Sequence, residues 1–379
     1  MRKDGVTAAN AGAVLTVDLG AIVANWKKLA ADAKGAEIAG VVKADAYGLG
    51  ATHVAPALLA AGCRTFFVAH EAEGLELRPL LPGARIFVLH GPNPGTEAGF
   101  TRAGLIPVLN TLPQVRAWAR HAAKAGKPAP CALHVDTGMT RLGLSRADFE
   151  EFLADPGLRK ALDLVLVMSH FACADRPDDP MSGRQIAAFS AFRAALPGVP
   201  AALSASSGYF LGAPARFDLV RPGIALYGGN PTNAPDNPMA PVVTLAARIL
   251  HIQPIDAPQT VGYGATYAVP GPGRLATVGV GYADGFLRGI GEAPRRGIPV
   301  FGGANGVKVP MAGRISMDLS TYDVSALPEG AIKPGDSIEM IGKYATIDQL
   351  ATAAGTISYE LLTRLGRRFH RVYRNGGTP

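Results

Sequence analysis

Between about residues 38 and 221, short apolar runs alternate with longer helix-like stretches, and this alternation narrows the possible folds more than any other property of the chain. Eight runs can be counted, near Ile38 to Lys43, Thr65 to Ala69, Arg85 to Leu89, Ile106 to Leu109, Cys131 to Asp136, Asp163 to Ser169, Ala201 to Ser204 and Asp218 to Arg221. Runs that stay apolar are what strands covered on both faces look like, and the helical spacers supply the crossovers that parallel strands need. Eight such units close most economically as a (β/α)8 barrel of the TIM type, with an open doubly wound sheet as the structural rival. The spacers agree with this: Val54 to Ala61 is largely apolar, while Gln114 to Lys124 sets Val115, Trp118 and Ala122 against Arg116, Arg120 and Lys124.

After Tyr227 the pattern changes. Gly228, Gly229 and the Pro-rich stretch Asn230 to Pro241 read as an interdomain connection. Val242 to Ile255, Leu275 to Tyr282, Val307 to Ser325 and Ser337 to Ile341 read as strands, with one helical segment from Ile347 to Leu365. The expected division is a barrel domain over residues 1–240 and a mainly β domain over 241–379, the first stretch of about 20 residues being free to pack with the second domain. A length of 379 residues suits two domains, and 48% hydrophobic against 18% charged residues suits packed ones rather than disorder.

The formal charge of +7 would favour an anionic ligand, but the basic residues are scattered, so nucleic acid is not an expected partner. The densest basic cluster, Arg367, Arg368, Arg371 and Arg374, reads as a solvated last strand and tail. Cys63, Cys131 and Cys173 are odd in number and lack CxxC spacing, which argues against a disulfide framework or zinc ribbon and for a reducing compartment. Arg2 and Lys3 are followed by Asp4 and an Ala-rich stretch in which Val6 is the one strongly apolar residue, so no secretion signal is read there. No run approaches the roughly 20 apolar residues of a membrane span, and a cytoplasmic protein without membrane contact is expected.

Nearly every apolar run of the first region ends on a residue capable of chemistry: Lys43, His70, His90, Asn110, Asp136, His170 and Arg221. In a barrel of this kind that end is where active sites form. Lys43 is the most informative, because a lysine directly after Ile38 to Val42 must be paired, deprotonated or covalently engaged if it is buried. Desolvation would free its amine to form a Schiff base, while the plainer alternative is an ammonium reaching solvent or Asp45. Ser206-Ser207-Gly208 and Gly223-Ile224 follow apolar runs and could offer hydroxyls and backbone N–H groups to a phosphate, although such pairs also mark ordinary turns. Neither a P-loop nor a Rossmann glycine fingerprint is present. His134, Asp136, His170 and Cys173 could in principle converge on a metal at a barrel mouth, but they lack an HxH pair and leave the lysine, tyrosine and arginine unexplained, so no metal is expected.

Val41-Val42-Lys43-Ala44-Asp45-Ala46-Tyr47-Gly48 and Asp136-Thr137-Gly138-Met139-Thr140-Arg141-Leu142-Gly143 closely resemble the alanine racemase family. The resemblance continues, in order, through Ser169 to Ala172, Arg221 to Gly228, Gly262 to Tyr267, Gly281 to Gly285, Ser316 to Asp318 and Ser358 to Glu360, and so covers nearly the whole chain. It implies a pyridoxal-phosphate-dependent isomerase that interconverts L-alanine and D-alanine, supplying D-alanine for peptidoglycan or feeding alanine catabolism. It implies that Lys43 binds the cofactor and acts as one base, and that Tyr263 is the opposing base, contributed across a homodimer interface. Tyr47, Ser206, Ser207, Gly223, Ile224 and Tyr359 match cofactor-binding positions, and Arg221 matches the residue facing the pyridine nitrogen. Arg141, Met317, Asp318 and Tyr282 match substrate-binding positions, and His170 is implied to stand beside Arg221 and the opposing tyrosine.

Two residues depart from the family pattern. His134 stands where many members have a lysine whose carbamate positions the arginine matched by Arg141, and an imidazole cannot form that carbamate in the same way. Ser206 stands where asparagine is common, so a cofactor contact there would have to be shorter or water-bridged. Rival readings are a decarboxylase on the same architecture, which would present an acid rather than Arg221 to the pyridine nitrogen, and a racemase of broader specificity. A third is a cofactor-binding protein without turnover, which would have no use for Tyr263, Met317 and Tyr359.

Overall fold

The apolar runs pair in the order in which they occur. In the structure, a computed structural model that describes residues 7–375, the strands Gly40–Val41, Thr65–Val68, Arg85–Val88, Ile106–Leu109, Ala129–His134, Leu162–Met168 and Ala201–Ala202 form one parallel sheet, each beside the next. Leu219–Val220 closes the ring by pairing in parallel with Glu37–Ile38, just upstream of the first strand. The Arg221 N–H donates to Ser204 O on one side, and the Val41 N–H donates to Pro222 O on the other. Phe66, Phe67, Phe87, Val88 and Leu133 have no exposed surface, so the barrel is filled rather than open. The strand ends fall within a residue or two of the sequence reading, the first strand stopping at Val41, before Lys43.

Among the described residues the chain divides into two compact units. One holds Ile22–Leu226 and Asn230–Ala240, and the other holds the segment ending at Ala21, Tyr227–Gly229 and the segment from Pro241 onward. The second unit is built on Val243–Ile255, a 13-residue strand. Ala13–Asp18 pairs with it antiparallel and with His370–Arg374 in parallel. Gly273–Val278 and Ser337–Ile341 flank the same long strand, and Phe301–Ala304, Val307–Pro310 and Ser320–Asp323 extend the sheet.

Three readings of the second unit need correction. Ile347 to Leu365 is two helices, Ile347–Ala354 and Ser358–Arg364, because Gly355 takes a left-handed φ of 75° and ends the first. Val307 to Ser325 is likewise two strands, separated by a turn region that carries Ser316, Met317 and Asp318. The strand at Leu275 stops at Val278, leaving Tyr282 in a short 3-10 turn, Tyr282–Asp284. The reading of Arg2 to Val6 as no leader lies outside the described residues. Among the described residues no helix is long and apolar enough to cross a membrane.

Candidate active site

Lys43 is followed by a turn of the wrong hand. Ala44, Asp45, Ala46 and Tyr47 have φ of 53°, 53°, 51° and 57°, a left-handed stretch without a glycine in it. Each such residue costs about 1–2 kcal/mol relative to the right-handed form, so the surroundings must impose it. Glu73 is central to this: its carboxylate accepts from the Ala44 N–H at 2.6 Å and from the Ala69 and His70 N–H groups at 2.7 and 3.0 Å. Asp45 accepts from Ala51 N–H at 2.7 Å, and Ala46 N–H donates to Val42 O at 2.9 Å. The turn carries Tyr47 against Gly223, where a Cβ would collide with the tyrosine hydroxyl and force the ring to move. Burial, then Arg141 and Arg221, push the Lys43 pKa below its ordinary value, with Glu73 opposing them.

Opposite this turn lies a set of donors. Ser206 Oγ accepts from the Gly223 and Ala225 N–H groups at 2.9 and 3.2 Å, which leaves its own hydroxyl proton to donate elsewhere. The buried Ile224 between them has no acceptor for its N–H among the described residues, nor does the Ser207 hydroxyl have a partner. Buried N–H groups are almost always paired. An orphan beside two hydroxyls and Tyr47 is therefore a cradle shaped for ligand oxygens. Gly223, expected to offer its own N–H, has given it to Ser206.

Arg221 is buried and tied to the barrel by donation to Ala202 O at 2.7 Å, Ser169 O at 2.6 Å and Leu203 O at 3.2 Å. Burial lowers its pKa to about 9, which still leaves the guanidinium charged at neutral pH. Its Nη2 lies 3.4 Å from His170 Nδ1. Because a guanidinium only donates, this nitrogen must accept, and the neutral ring carries its proton on Nε2. Desolvation, then Arg221 and Arg141, push His170 down to about 3, so it is neutral. Gln185 steadies the same corner, donating to His170 O at 2.9 Å and Thr137 Oγ1 at 3.2 Å and accepting from Ala172 N–H at 2.9 Å.

Arg141 sits in the loop after the fifth strand of the ring. Asp136 Oδ1 accepts from the N–H groups of Gly138, Met139 and Thr140, and Thr140 is left-handed at φ 54°. The guanidinium itself is exposed and has no hydrogen-bond or ion-pair partner among the described residues. His134, Asp136, His170 and Cys173 assemble no group of three or more that could hold a metal among those residues.

The remaining expected residues lie in the second unit. The Tyr263–Ala265 turn packs beside Arg314, and Tyr263 is 71% exposed. Met317 is 55% exposed, its carbonyl accepting from Ala283 N–H at 2.9 Å while Tyr282 N–H donates to Ser316 O at 3.0 Å. The Met317 N–H has no acceptor among the described residues. Asp318 does not point freely: Arg368 bridges it at 2.8 Å and Asp284 at 2.6 Å, and Asp284 also accepts from Gly281 N–H. Tyr359 lies on Ser358–Arg364, a helix whose end abuts Gly285. Glu73 and Gln185 escaped the sequence reading, and Arg368 was taken for part of a solvated tail.

A barrel that gathers a lysine of lowered pKa, two arginines and a cradle of unpaired donors at one end of its strands defines an enzyme that handles an anionic ligand through amine chemistry. Residues 17–231 match the family model described as alanine racemase, N-terminal domain, and residues 242–373 match alanine racemase, C-terminal domain. The chain is 53% identical to an alanine racemase of Rhodospirillum rubrum, over 96% of each chain, and 48% identical to one of Rhizobium meliloti, over 97% and 98%. Among solved structures it is similar to alanine racemase from Bartonella henselae with covalently bound pyridoxal phosphate (TM-score 0.89, 38% identity, 96% and 99% covered). The biosynthetic alanine racemase of Pseudomonas aeruginosa aligns at TM-score 0.86 and 34% identity, over 96% and 100%. The chain belongs to the alanine racemase family.

Proposed function

We propose that the protein interconverts L-alanine and D-alanine with pyridoxal phosphate, using Lys43 and Tyr263 as bases on opposite faces of the substrate, in a homodimer whose subunits exchange Tyr263. The observation that supports the reading is a lysine of lowered pKa and a tyrosine left 71% exposed, the two residues to which the motif resemblance assigns the roles of bases. The cofactor, when bound, supplies an electron sink that makes the α-hydrogen of an amino acid acidic. The residues fit it: Tyr47, Ser206, Ser207, Gly223 and Ile224 offer donors or close approach for a phosphate, with Tyr359 assigned to the same seat by its match.

Lys43, whose pKa burial lowers, anchors the cofactor and holds or returns a proton at its Nζ. Arg221 can only donate, so a ring nitrogen facing it stays an unprotonated acceptor. Arg141 and the unpaired Met317 N–H receive the substrate carboxylate, and Asp318 and Tyr282 shape the turn that presents Met317. The Nε2–H of neutral His170 faces the partner subunit's Tyr263 and stabilises its phenolate. Three free thiols, two of them buried, support an intracellular setting. Chiral chromatography of L-alanine incubated with the protein and pyridoxal phosphate should show D-alanine approaching equal amounts. Absence of D-alanine, with a basic amino acid losing carbon dioxide instead, would overturn the reading.

A further inference from the structure

The Tyr263–Ala265 turn sits at the tip of a hairpin whose two strands, Gln259–Val261 and Tyr267–Val269, pair antiparallel. The strands are anchored by apolar contact: Val261 and Val269 belong to a buried cluster with Ile255, Leu275 and Ala312, and Tyr267 packs against it. The tip lies outside that cluster. Residues 262–265 are exposed, and the Tyr263 side chain has no hydrogen-bond or ring partner among the described residues. Its direction is therefore set by backbone, and that backbone is unusual: Gly262, Gly264 and Ala265 have left-handed φ of 71°, 75° and 51°. Arg314 is what the turn lies against. A Cβ on Gly264 would stand 2.8 Å from Arg314 Nη1 and 3.5 Å from its Cζ, and one on Gly262 would stand 3.7 Å from the Arg314 backbone N.

Arg314 is itself held. Its Nε lies 2.9 Å from Glu292 Oε1, and each of the two side chains is 24% exposed. Glu292 ends the short helix Arg288–Glu292, which is seated on the same segment: a Cβ on Gly291 would be 2.6 Å from Ile315 N and 3.3 Å from Arg314 C. Arg288 and Arg295 reach the same carboxylate at 3.3 and 3.5 Å, so Glu292 has little freedom to swing away. We propose that Arg314, held by Glu292, is the positioning residue for Tyr263: its planar guanidinium is the plate on which Gly264 rests, and it fixes the angle at which the turn presents the phenol. Glycine at 264 meets two needs at once, a left-handed φ and contact with the plate without an intervening Cβ.

The proposal rests on the reading of Tyr263 as a base, and two measurements keep the two claims apart. In the cofactor-loaded protein, loss of α-deuterium to solvent from each enantiomer of alanine reports on one base apiece. Tyr263→Phe should stop that loss from one enantiomer and spare it from the other, which Lys43 serves. Arg314→Met should slow the Tyr263-dependent loss by roughly tenfold or more, the cost of a misplaced base, and leave the other within about twofold. Glu292→Leu, which frees the guanidinium without touching Arg314, should show the same selectivity, whereas Glu292→Gln keeps an oxygen for Nε and should stay near the parent. The double variant Arg314→Met with Glu292→Leu should be no slower than Arg314→Met, because the two act as one unit. Backbone hydrogen exchange across residues 262–266 should quicken in Arg314→Met while that of Gln259–Val261 and Tyr267–Val269 stays as in the parent. Equal slowing for both enantiomers, unchanged exchange at the turn or parental behaviour of Glu292→Leu would each overturn the proposal. Loss from both enantiomers surviving in Tyr263→Phe would instead overturn the reading of Tyr263 as a base, and hydrogen exchange alone would then decide whether Arg314 holds the turn.

Discussion

The two units hold their functional residues in opposite ways. In the barrel, the exposed Arg141 apart, they are cross-tied: Arg221 on three carbonyls, Ser206 under two N–H groups, Glu73 on three. In the second unit Tyr263, Met317 and Tyr282 stand 71%, 55% and 41% exposed, apolar surface presented to solvent. The first arrangement is finished within one chain. The second is a surface awaiting something, and a second copy of the chain is what the proposed function puts against it. The difference teaches where precision comes from: strand ends fix the barrel residues, whereas the turns of the second unit are fixed by one another, as Arg368 fixes Asp284 and Asp318.

The contrast can be tested most severely at Lys43. Lys43→Ala should lower alanine racemisation by more than about 10⁴-fold, since it removes both the cofactor anchor and one base, and the absorbance of lysine-bound cofactor should vanish. Borohydride reduction of the parent followed by peptide mapping checks the anchor, and label on another lysine would refute it. Tyr263→Phe should lower activity by roughly 10²–10⁴-fold while keeping that absorbance, because a ring without oxygen offers no base. Mixing the two inactive variants under conditions in which differently tagged chains demonstrably exchange should restore activity at one site per heterodimer. Demonstrated heterodimers without activity would mean that Tyr263 serves its own chain.

Smaller effects sharpen the same comparison. Arg368→Met should raise the KM for alanine several-fold, on the order of one charge-assisted bond, by loosening the Met317 turn while leaving cofactor affinity in the barrel unchanged; cofactor titration beside steady-state kinetics would separate the two. For His134 the sign follows from its lowered pKa. Between about 6.5, its ordinary value, and about 4 the folded state binds fewer protons than the unfolded one, so stability falls as pH drops through that window. Replacing it by Gln should remove on the order of 2 kcal/mol of that pH dependence, read as a shallower loss of melting temperature between pH 7 and pH 4.5.

Much of the barrel was legible because parallel strands covered on both faces must be continuously apolar, a signal that needs no partner to be read. The second unit was less so. Gly355 stood in plain view inside the expected helix, but the apolar spacing of Leu350, Leu361 and Leu362 runs on across it and masks the break. The matched residues of the site could be named from their motifs, yet their supports could not: Glu73 reaches Ala44 across 29 positions and His134 meets Asn110 across 24. Such contacts are created by barrel closure and leave no local pattern. Arg368 shows the limit from the other side, since composition at the end of the chain gives no sign that a guanidinium will find two carboxylates.

The left-handed turn after Lys43 also says something about when the protein becomes reactive. Four residues in that conformation have no stability of their own, and the Glu73 bond that holds them comes from a helix packed on the next strand. The turn therefore depends on its neighbours for its shape. A nascent or unfolded chain carries Lys43 as an ordinary surface-like amine, and the same residue becomes an aldehyde-seeking group only in a finished barrel. The fold thereby acts as a safety catch on its own chemistry, and native-state hydrogen exchange should find the buried Ala46 amide much better protected than the exposed Ala44 amide.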